Sequence, residues 1–503
     1  MENNSIIIIG GGFAGLSAGI YGQMNGYKTR IFEMHDQPGG LCTSWKRKGF
    51  TIDGCIHWLV GSSHLSSMHR QWEEVGVAQG REIVNIDEYL RYEAADGRTL
   101  VFYTDVNKLE THLIGMCPED EKLIREFTGG IRMCLAFDMP ASSASFMKKL
   151  SSGLKLLGTI LFRGRKMKYW MKTTARDFAA GFSDPALREA IHEMWFPDFS
   201  MLFMLFTFAW LHKKNAGYPI GGSLPMSKAM EEKYTTLGGQ ILYKRKVEKI
   251  IVENSRAAGI ILDDGSEHRA GRIISVADGY STIFRMLGGK FMDDKIRKIY
   301  DSWKLFPPLI FVSLGVNRDF GDEPMTISGM SFPLKEPVEI GGKLLTRLPV
   351  HLYNQDPTFA PAGKTTVIVM FDGNFNYWKK LSEDRKAYLD KKQDVALKII
   401  ELMEQRYPGI AGQVEMVDVA TPVTFERYTG NWQGSFEGWL ITPENSSTFM
   451  KRMEQTLPGL ENFYMCGQWV EPGGGLPTSV MSARRLLKLI CKEDRRKFVA
   501  PVN

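Results

Sequence analysis

No acidic residue stands between Asp138 and Asp177, whereas Lys148, Lys149, Lys155, Arg163, Arg165, Lys166, Lys168, Lys172 and Arg176 all fall in that stretch. Leu150, Leu154, Leu157 and Leu161 recur through it at helical spacing, and Phe162, Tyr169, Trp170 and Met171 interleave with the charges. Such a helix either lies on an anionic membrane surface or caps a domain with its apolar stripe while the basic face stays solvated. The bias is local. The whole chain of 503 residues has a net charge of only +6 and no nucleic-acid-binding motif, so no nucleic acid partner is expected.

Long apolar runs are missing too. The closest, Met201 to Leu211, is about half the length of a bilayer-spanning helix. No charged n-region with an apolar h-region precedes the first strand, and no secretory signal is expected. Cysteine is scarce: Cys42, Cys55, Cys117, Cys134, Cys466 and Cys491 contain no C-x-x-C pair and no zinc spacing. They read as reduced thiols of a cytoplasmic protein, with peripheral contact to a membrane through residues 148–176 as the alternative to a purely soluble one. No metal site and no hydrolase elbow is present in the pattern. A composition of 44% hydrophobic and 24% charged residues is that of a folded globular protein, and the length calls for two domains.

What is present speaks first at the amino terminus. Ser5-Ile6-Ile7-Ile8-Ile9 is a β-branched apolar run, broken by Gly10-Gly11-Gly12-Phe13-Ala14-Gly15 and followed by the helical Leu16-Ser17-Ala18-Gly19-Ile20. Lys28-Thr29-Arg30-Ile31-Phe32-Glu33 then reads as a second strand ending in a carboxylate. This is G-x-G-x-x-G in the context that gives it meaning: after a buried strand, opening a helix, with an acid at the expected distance. Gly10 permits the tight turn, Gly12 lets a pyrophosphate approach, and Gly15 lets helix and strand pack closely. The helix N-terminus offers N–H donors and positive potential to the phosphates. Glu33 accepts from a ribose 2′-hydroxyl, which disfavours the 2′-phosphate of NADP.

The chain returns to cofactor-type elements twice. Tyr218-Pro219-Ile220-Gly221-Gly222-Ser223 leads to a helix over Met226–Leu237, strands at Gln240–Tyr243 and Val247–Glu253, a hairpin at Asp263-Asp264-Gly265 and a strand at Arg272–Ala277. Phe463-Tyr464-Met465-Cys466-Gly467 is a strand into the turn Pro472-Gly473-Gly474-Gly475, with a closing helix from Thr478. Between the visits lie a helical Ser66–Val75, a hairpin about Asp96-Gly97, mainly helical residues to Leu211, and a helical Ser382–Arg406. The expected fold is α/β. A discontinuous Rossmann-like domain (1–85, 218–290 and 445–503) carries the dinucleotide. A mixed α+β substrate domain (86–217 and 291–444) has a helical, membrane-facing candidate part. Gly238-Gly239 follows a helix, so it is a C-cap and not a second phosphate loop. With no second nucleotide domain, electrons must pass to or from another, unknown donor or acceptor.

These residues resemble the phytoene desaturase, carotenoid isomerase and retinol saturase family of flavoproteins. The most specific part runs from Gly39-Gly40-Leu41-Cys42-Thr43-Ser44-Trp45 through Gly49-Phe50-Thr51-Ile52-Asp53-Gly54-Cys55-Ile56-His57-Trp58. The resemblance continues at Tyr218–Gly222, at Asp356-Pro357 with Pro361 and Gly363, at Gly434-Ser435 with Gly438, and at Cys466-Gly467-Gln468 with Pro472–Gly475. It implies an amine-oxidase/phytoene-desaturase-like architecture with extended FAD. The residues expected at the cofactor are Gly10, Gly12, Phe13, Ala14, Gly15, Glu33, Met34, Gly39, Gly40, Leu41, His57, Val247, Gly467, Gln468, Gly474, Gly475 and Leu476. Leu41 stands where amine oxidases and many desaturases carry arginine, which moves the reading toward the saturase and isomerase side. Gln468 stands where many relatives place an acid. The closing turn holds no cysteine for a covalent flavin.

The resemblance implies a FAD-dependent oxidoreductase that saturates or desaturates carbon–carbon bonds of a hydrophobic polyene, isoprenoid or similar lipid. A redox-neutral double-bond isomerase, a prenyl-lipid carrier without flavin chemistry and an amine oxidase are the alternatives. The aromatic, Met-rich stretch Trp195-Phe196, Phe199, Met201–Phe208 and Trp210 supplies either a buried helix core or, at a minority of its positions, the lining of an apolar pocket. His57 is the candidate general acid, with a structural histidine as the alternative; Tyr353 and Glu437 are weaker candidates, read first as structural residues. Cys42 and Cys55 have no activating base and no nucleophilic role.

Overall fold

Five parallel strands form the floor of the cofactor site, in the order Gln240–Leu242, Lys28–Phe32 (β2), Ser5–Ile9 (β1), Arg272–Ser275, Phe463–Met465. The computed structural model describes residues 4–136, 164–448 and 452–502. β1 lies at the centre, with Ile7 opposite Ile273 on one side and Arg30 on the other. Its unbroken isoleucine run follows from that position, since a central parallel strand is covered on both faces. Ile6 and Ile8 pack into the main core with helix α1 (Phe13–Met24), while Ile7 and Ile9 pack against Val247, Ile250 and Ile260. The helix α1 is buried almost all round. It needs Gly19 there, because a Cβ would meet the Tyr234 ring at 2.7 Å.

A sheet of seven strands roofs the other part of the site, in the order Val414–Ala420, Leu309–Val316, Thr365–Asp372, Lys343–Leu352, Met330–Ile340, Glu88–Glu93, Thr99–Tyr103. Alternation decides its two faces. Val367 and Val369 turn to a core with Val395, Ile399 and Met403 of the Arg385–Arg406 helix; Ile368 and Met370 turn to the cavity described below. The hairpin read at Asp96-Gly97 is present, joining Glu88–Glu93 to Thr99–Tyr103.

Several helix starts differ from the sequence reading: those read at Ser66 and Ser382 fall at His69 and Arg385, and two others move for clear local reasons. The helix read from Met226 begins at Ser223, because Gly222 turns the chain at φ +71° and the Ser223 N–H is taken by Asp53 at 2.6 Å. The closing helix is Leu476–Glu493, two residues ahead of Thr478, with Pro477 in the first turn, where its missing N–H costs nothing. Much of the basic stretch 148–176 lies outside the described residues. Of its described part, residues 164–172 are helical, Trp170 is buried against Phe178 at 5.2 Å, and Tyr169 is exposed. Among the described residues no helix is long and apolar enough to cross a membrane.

Candidate functional site

Three glycines of the first turn are required for three different reasons. Gly10 has φ +102°, a conformation open to glycine. A Cβ on Gly15 would stand 2.0 Å from the Gly10 carbonyl oxygen, so helix and turn could not close. Gly12 has an ordinary φ of −70°. A Cβ there would meet nothing closer than the Gly39 carbonyl oxygen at 3.7 Å. Nothing within the protein demands glycine at this position, and the space above it belongs to the cavity. A cradle kept open at the N-terminus of α1 fits a pyrophosphate.

Glu33 is buried at the end of β2, where Oε2 accepts from Gly11 N–H at 2.6 Å and Oε1 from His35 N–H at 2.8 Å. Each oxygen keeps a lone pair for a ribose hydroxyl. The residues therefore fit an adenine dinucleotide without a 2′-phosphate. Arg245, Lys246, Val247 and Arg285 line the same end, opposite the turn.

A single cavity of about 1580 Å³ runs from this turn into the seven-stranded sheet. It is larger than the roughly 300–1,000 Å³ of a pocket for one drug-sized ligand. Gly10, Gly12, Phe13, Ala14, Glu33, Met34, Gly39, Gly40, Leu41, His57, Val247, Gly467, Gln468, Gly474, Gly475 and Leu476 all line it. Of the residues read from the sequence as cofactor contacts, Gly15 is not on the wall; it packs beneath the turn. The far chamber is walled by Trp195, Phe196, Phe199, Phe203, Thr207 and Trp210. Phe203, Thr207 and Trp210 follow one stripe of the Met201–His212 helix, whose other apolar residues are core; with Trp195, Phe196 and Phe199 they make half of the aromatic stretch a lining, more than the minority expected of it.

His57 lies on the wall between the two ends. Its Nδ1 stands 3.2 Å from the Cys55 carbonyl oxygen, which can only accept, so Nδ1 carries the hydrogen and Nε2 keeps a lone pair. Burial lowers its pKa, so the ring is neutral at neutral pH. In that state it accepts a hydrogen bond, and the general-acid role expected of it finds no support in its surroundings. The His351 ring stands 5.5 Å away with both nitrogens unpartnered, and burial pushes its pKa down to about 3. Tyr353 stacks behind His351 at 4.5 Å and does not reach the cavity. Cys42 and Cys55 face each other where the hairpin of β3 (Ser44–Arg47) and β4 (Phe50–Asp53) ends. Contact with the Cys42 thiol, then burial, push the Cys55 thiol well up, away from thiolate chemistry.

Glu437, one of the weaker candidates from the sequence, does reach the cavity. It lines the cavity beside the Gly473–Gly475 turn, and burial alone raises its carboxyl from 4.5 to about 8. The folded chain thus keeps a proton that the unfolded chain has released. The stability tied to this group is whole below pH 4.5 and is lost as pH rises through about 8. Melting curves of cofactor-free protein are expected to show the wild type losing ground to Glu437→Gln between about pH 5 and about pH 9, by at most about 1.4 kcal/mol per pH unit. A gap independent of pH would contradict this.

Residues 13–486 match the flavin containing amine oxidoreductase family. The chain is 24% identical over 505 residues to a chloroplastic prolycopene isomerase of Daucus carota, covering 95% of this chain and 79% of the relative. It is 25% identical over 510 residues to a neurosporene-forming phytoene desaturase of Rhodobacter capsulatus, covering 96% and 93%. Among solved structures, a putrescine oxidase double mutant superposes with a TM-score of 0.63 at 14% identity, over 97% of this chain and 99% of the other. An oxidoreductase from Methanosarcina mazei does so with a TM-score of 0.57 at 16% identity, over 96% and 100%. Likeness at those identities speaks for the fold. The family match is different in kind, because it runs from the helix of the glycine turn to the helix that closes the chain. The chain belongs to the flavin containing amine oxidoreductase family and is a FAD-dependent oxidoreductase.

Proposed function

We propose that the protein adds hydrogen to, or removes it from, carbon–carbon bonds of a hydrophobic polyene or isoprenoid lipid. The observation that carries this is the continuity of the cavity: the glycine turn and the aromatic chamber share one space, with room for a dinucleotide and a second elongated molecule. Similarity to proteins named phytoene desaturase and prolycopene isomerase supports the same substrate class.

Gly10, Gly12 and the start of α1 would hold the pyrophosphate, Glu33 the ribose, and the Gly467 and Gly473–Leu476 segments the flavin end. When bound, FAD supplies hydride donation or acceptance at its ring. The chain's own contributions are positional. Trp195, Phe199, Phe203 and Trp210 exclude water and hold an apolar chain by contact area, since such a substrate offers no hydrogen bonds. The start of the Leu476–Glu493 helix faces the cavity, where its positive end stabilises negative charge on a reduced ring. His57, neutral and with Nε2 as an acceptor, can receive a hydrogen bond at the mid-wall.

A redox-neutral isomerisation is the second reading, favoured by the similarity to prolycopene isomerase. The purified holoenzyme, incubated anaerobically with phytoene or prolycopene in both oxidation states of its flavin, separates the two. A product differing by two hydrogens is expected; a product of unchanged mass supports isomerisation. No change in either polyene, together with turnover of putrescine, would replace the proposal by amine oxidation.

A further inference from the structure

Glu437 has a side chain that the fold places with care and that has no hydrogen-bonding or ionic partner among the described residues. Its loop is clamped on every side. Gly438 N–H donates to Ser435 Oγ at 3.1 Å, the Asn431 amide donates to the Ser435 carbonyl at 2.9 Å, and Phe306 N–H donates to the Gly438 carbonyl at 2.9 Å. The side chain between these anchors lies against the closing turn. A Cβ on Gly474 would fall 2.2 Å from Glu437 Cγ, and one on Gly475 would fall 3.5 Å from Oε1. Those two glycines, at φ +55° and +84°, lead into the helix whose N-terminus faces the cavity. The carboxyl therefore sits on the wall at the point where the flavin end of the cofactor is expected.

Among the described residues Glu437 forms no hydrogen bond or ion pair, no arginine, lysine or histidine acts on its titration, and its titratable neighbour is the Cys55 thiol. Phe436, beside it in the chain, packs on Phe196 and Phe306. An acid buried for structural reasons comes with a partner, because desolvating it alone costs several kcal/mol. An unpaired acid on the wall of a reaction cavity has the properties of a proton source.

We infer that Glu437 is the proton donor of the reacting centre, and that the reaction it serves is the addition of hydrogen to a carbon–carbon double bond. In this step the π bond breaks and two C–H bonds form. One carbon receives a hydride, with its electron pair, from reduced FAD, which is oxidised; the other receives the proton of the Glu437 carboxyl. The resulting carboxylate is reprotonated from water, and the flavin is reduced again by an external two-electron donor, dithionite in the assay below. Desolvation on the cavity wall favours the acid form of the group at neutral pH, the form that donates. A desaturase would run the same step backwards and would start from the carboxylate, the minor form at neutral pH. The inference rests on the carbon–carbon reading of the preceding subsection and gives it a direction.

Two measurements on holoenzyme test it. The first follows the absorption of the bound flavin from about pH 6 to about pH 10 and needs no substrate. The wild type is expected to show a transition near pH 8 that is absent from Glu437→Gln and retained, displaced, in Glu437→Asp, with FAD still bound in both variants. The second follows reoxidation of the dithionite-reduced flavin by prolycopene. Glu437→Gln is expected to be slower by about 10²- to 10⁴-fold at neutral pH and to lose the alkaline fall seen in the wild type. The product of the wild type should carry two more hydrogens. An unchanged transition in Glu437→Gln, or a rate and pH profile equal to the wild type, overturns the donor role. A Glu437-dependent transition without any reoxidation by prolycopene overturns the substrate reading and the donor step with it, while the buried acid beside the flavin stands.

Discussion

A Gly12→Val variant is expected to purify folded but colourless. The backbone at Gly12 is one any residue adopts, and its Cβ direction points past the Gly39 carbonyl into open space, so the apoprotein loses little. The two added methyl groups then occupy the cavity space over the start of α1. Displacing a pyrophosphate from those N–H donors by a single ångström removes more than about 2.8 kcal/mol, a loss of more than about 100-fold in FAD affinity. Gly15→Val is the necessary contrast. Its Cβ would lie 2.0 Å from one backbone atom and 3.1 Å from the Val276 side chain, so the first strand and helix cannot pack. That variant is expected to lose more than about 4 kcal/mol and to accumulate as insoluble protein. Melting temperature and flavin content of the two, measured together, check the assignment. If Gly12→Val came out yellow, the open space would not be the cofactor's seat.

Asp53→Ala should be nearly as damaging, by another route. Asp53 ends β4 with its carboxylate fully buried, where it accepts from Cys55 N–H at 2.9 Å, Ile56 N–H at 3.0 Å, and Ser223 through N–H and Oγ, both at 2.6 Å. One side chain thus ties the loop that carries His57 to the start of the Ser223–Thr236 helix. Alanine would strand the Cys55 and Ser223 N–H groups in the interior at about 1–3 kcal/mol each, while Ile56 N–H keeps Ser223 Oγ at 3.1 Å. Such losses overlap, so a total on the order of 4 kcal/mol is expected, a large share of a typical domain's stability. Denaturant unfolding should show a midpoint lowered accordingly. Asp53→Asn, which keeps one acceptor oxygen, should fall between. An Asp53→Ala midpoint within error of the wild type would mean that water satisfies those donors and the loop is held by other contacts.

Where local pattern and tertiary role coincide, the sequence was readable. The isoleucine run of β1 and the glycines after it were legible because β2 and α1, their first partners, follow at once in the chain, although β1 also pairs with the distant Arg272–Ser275; the hairpin at Asp96-Gly97 pairs with itself. The aromatic stripe of the Met201–His212 helix was legible as a helix with a few wall positions, since only residues one turn apart share a face. His351 was not, because its meaning is its distance from His57, and no local pattern records a contact across nearly three hundred residues. The pairing of Met330 with Arg91 across the seven-stranded sheet is hidden for the same reason. Glu437 did leave a trace: a lone acid in Ser435-Phe436-Glu437-Gly438-Trp439-Leu440, amid residues suited to burial. What the trace lacked was the turn at Gly474 on which the side chain rests.

The floor sheet also sets an order of assembly. Its fifth strand, Phe463–Met465, docks on Arg272–Ser275, and the helix after it covers α1. Until those two elements dock, Arg272–Ser275 is a bare parallel edge and the outer face of α1 is uncovered, and both invite wrong partners. The seat at the amino-terminal turn is thus finished by residues far along the chain, and a variant cut before Phe463 is expected to aggregate rather than to take up flavin.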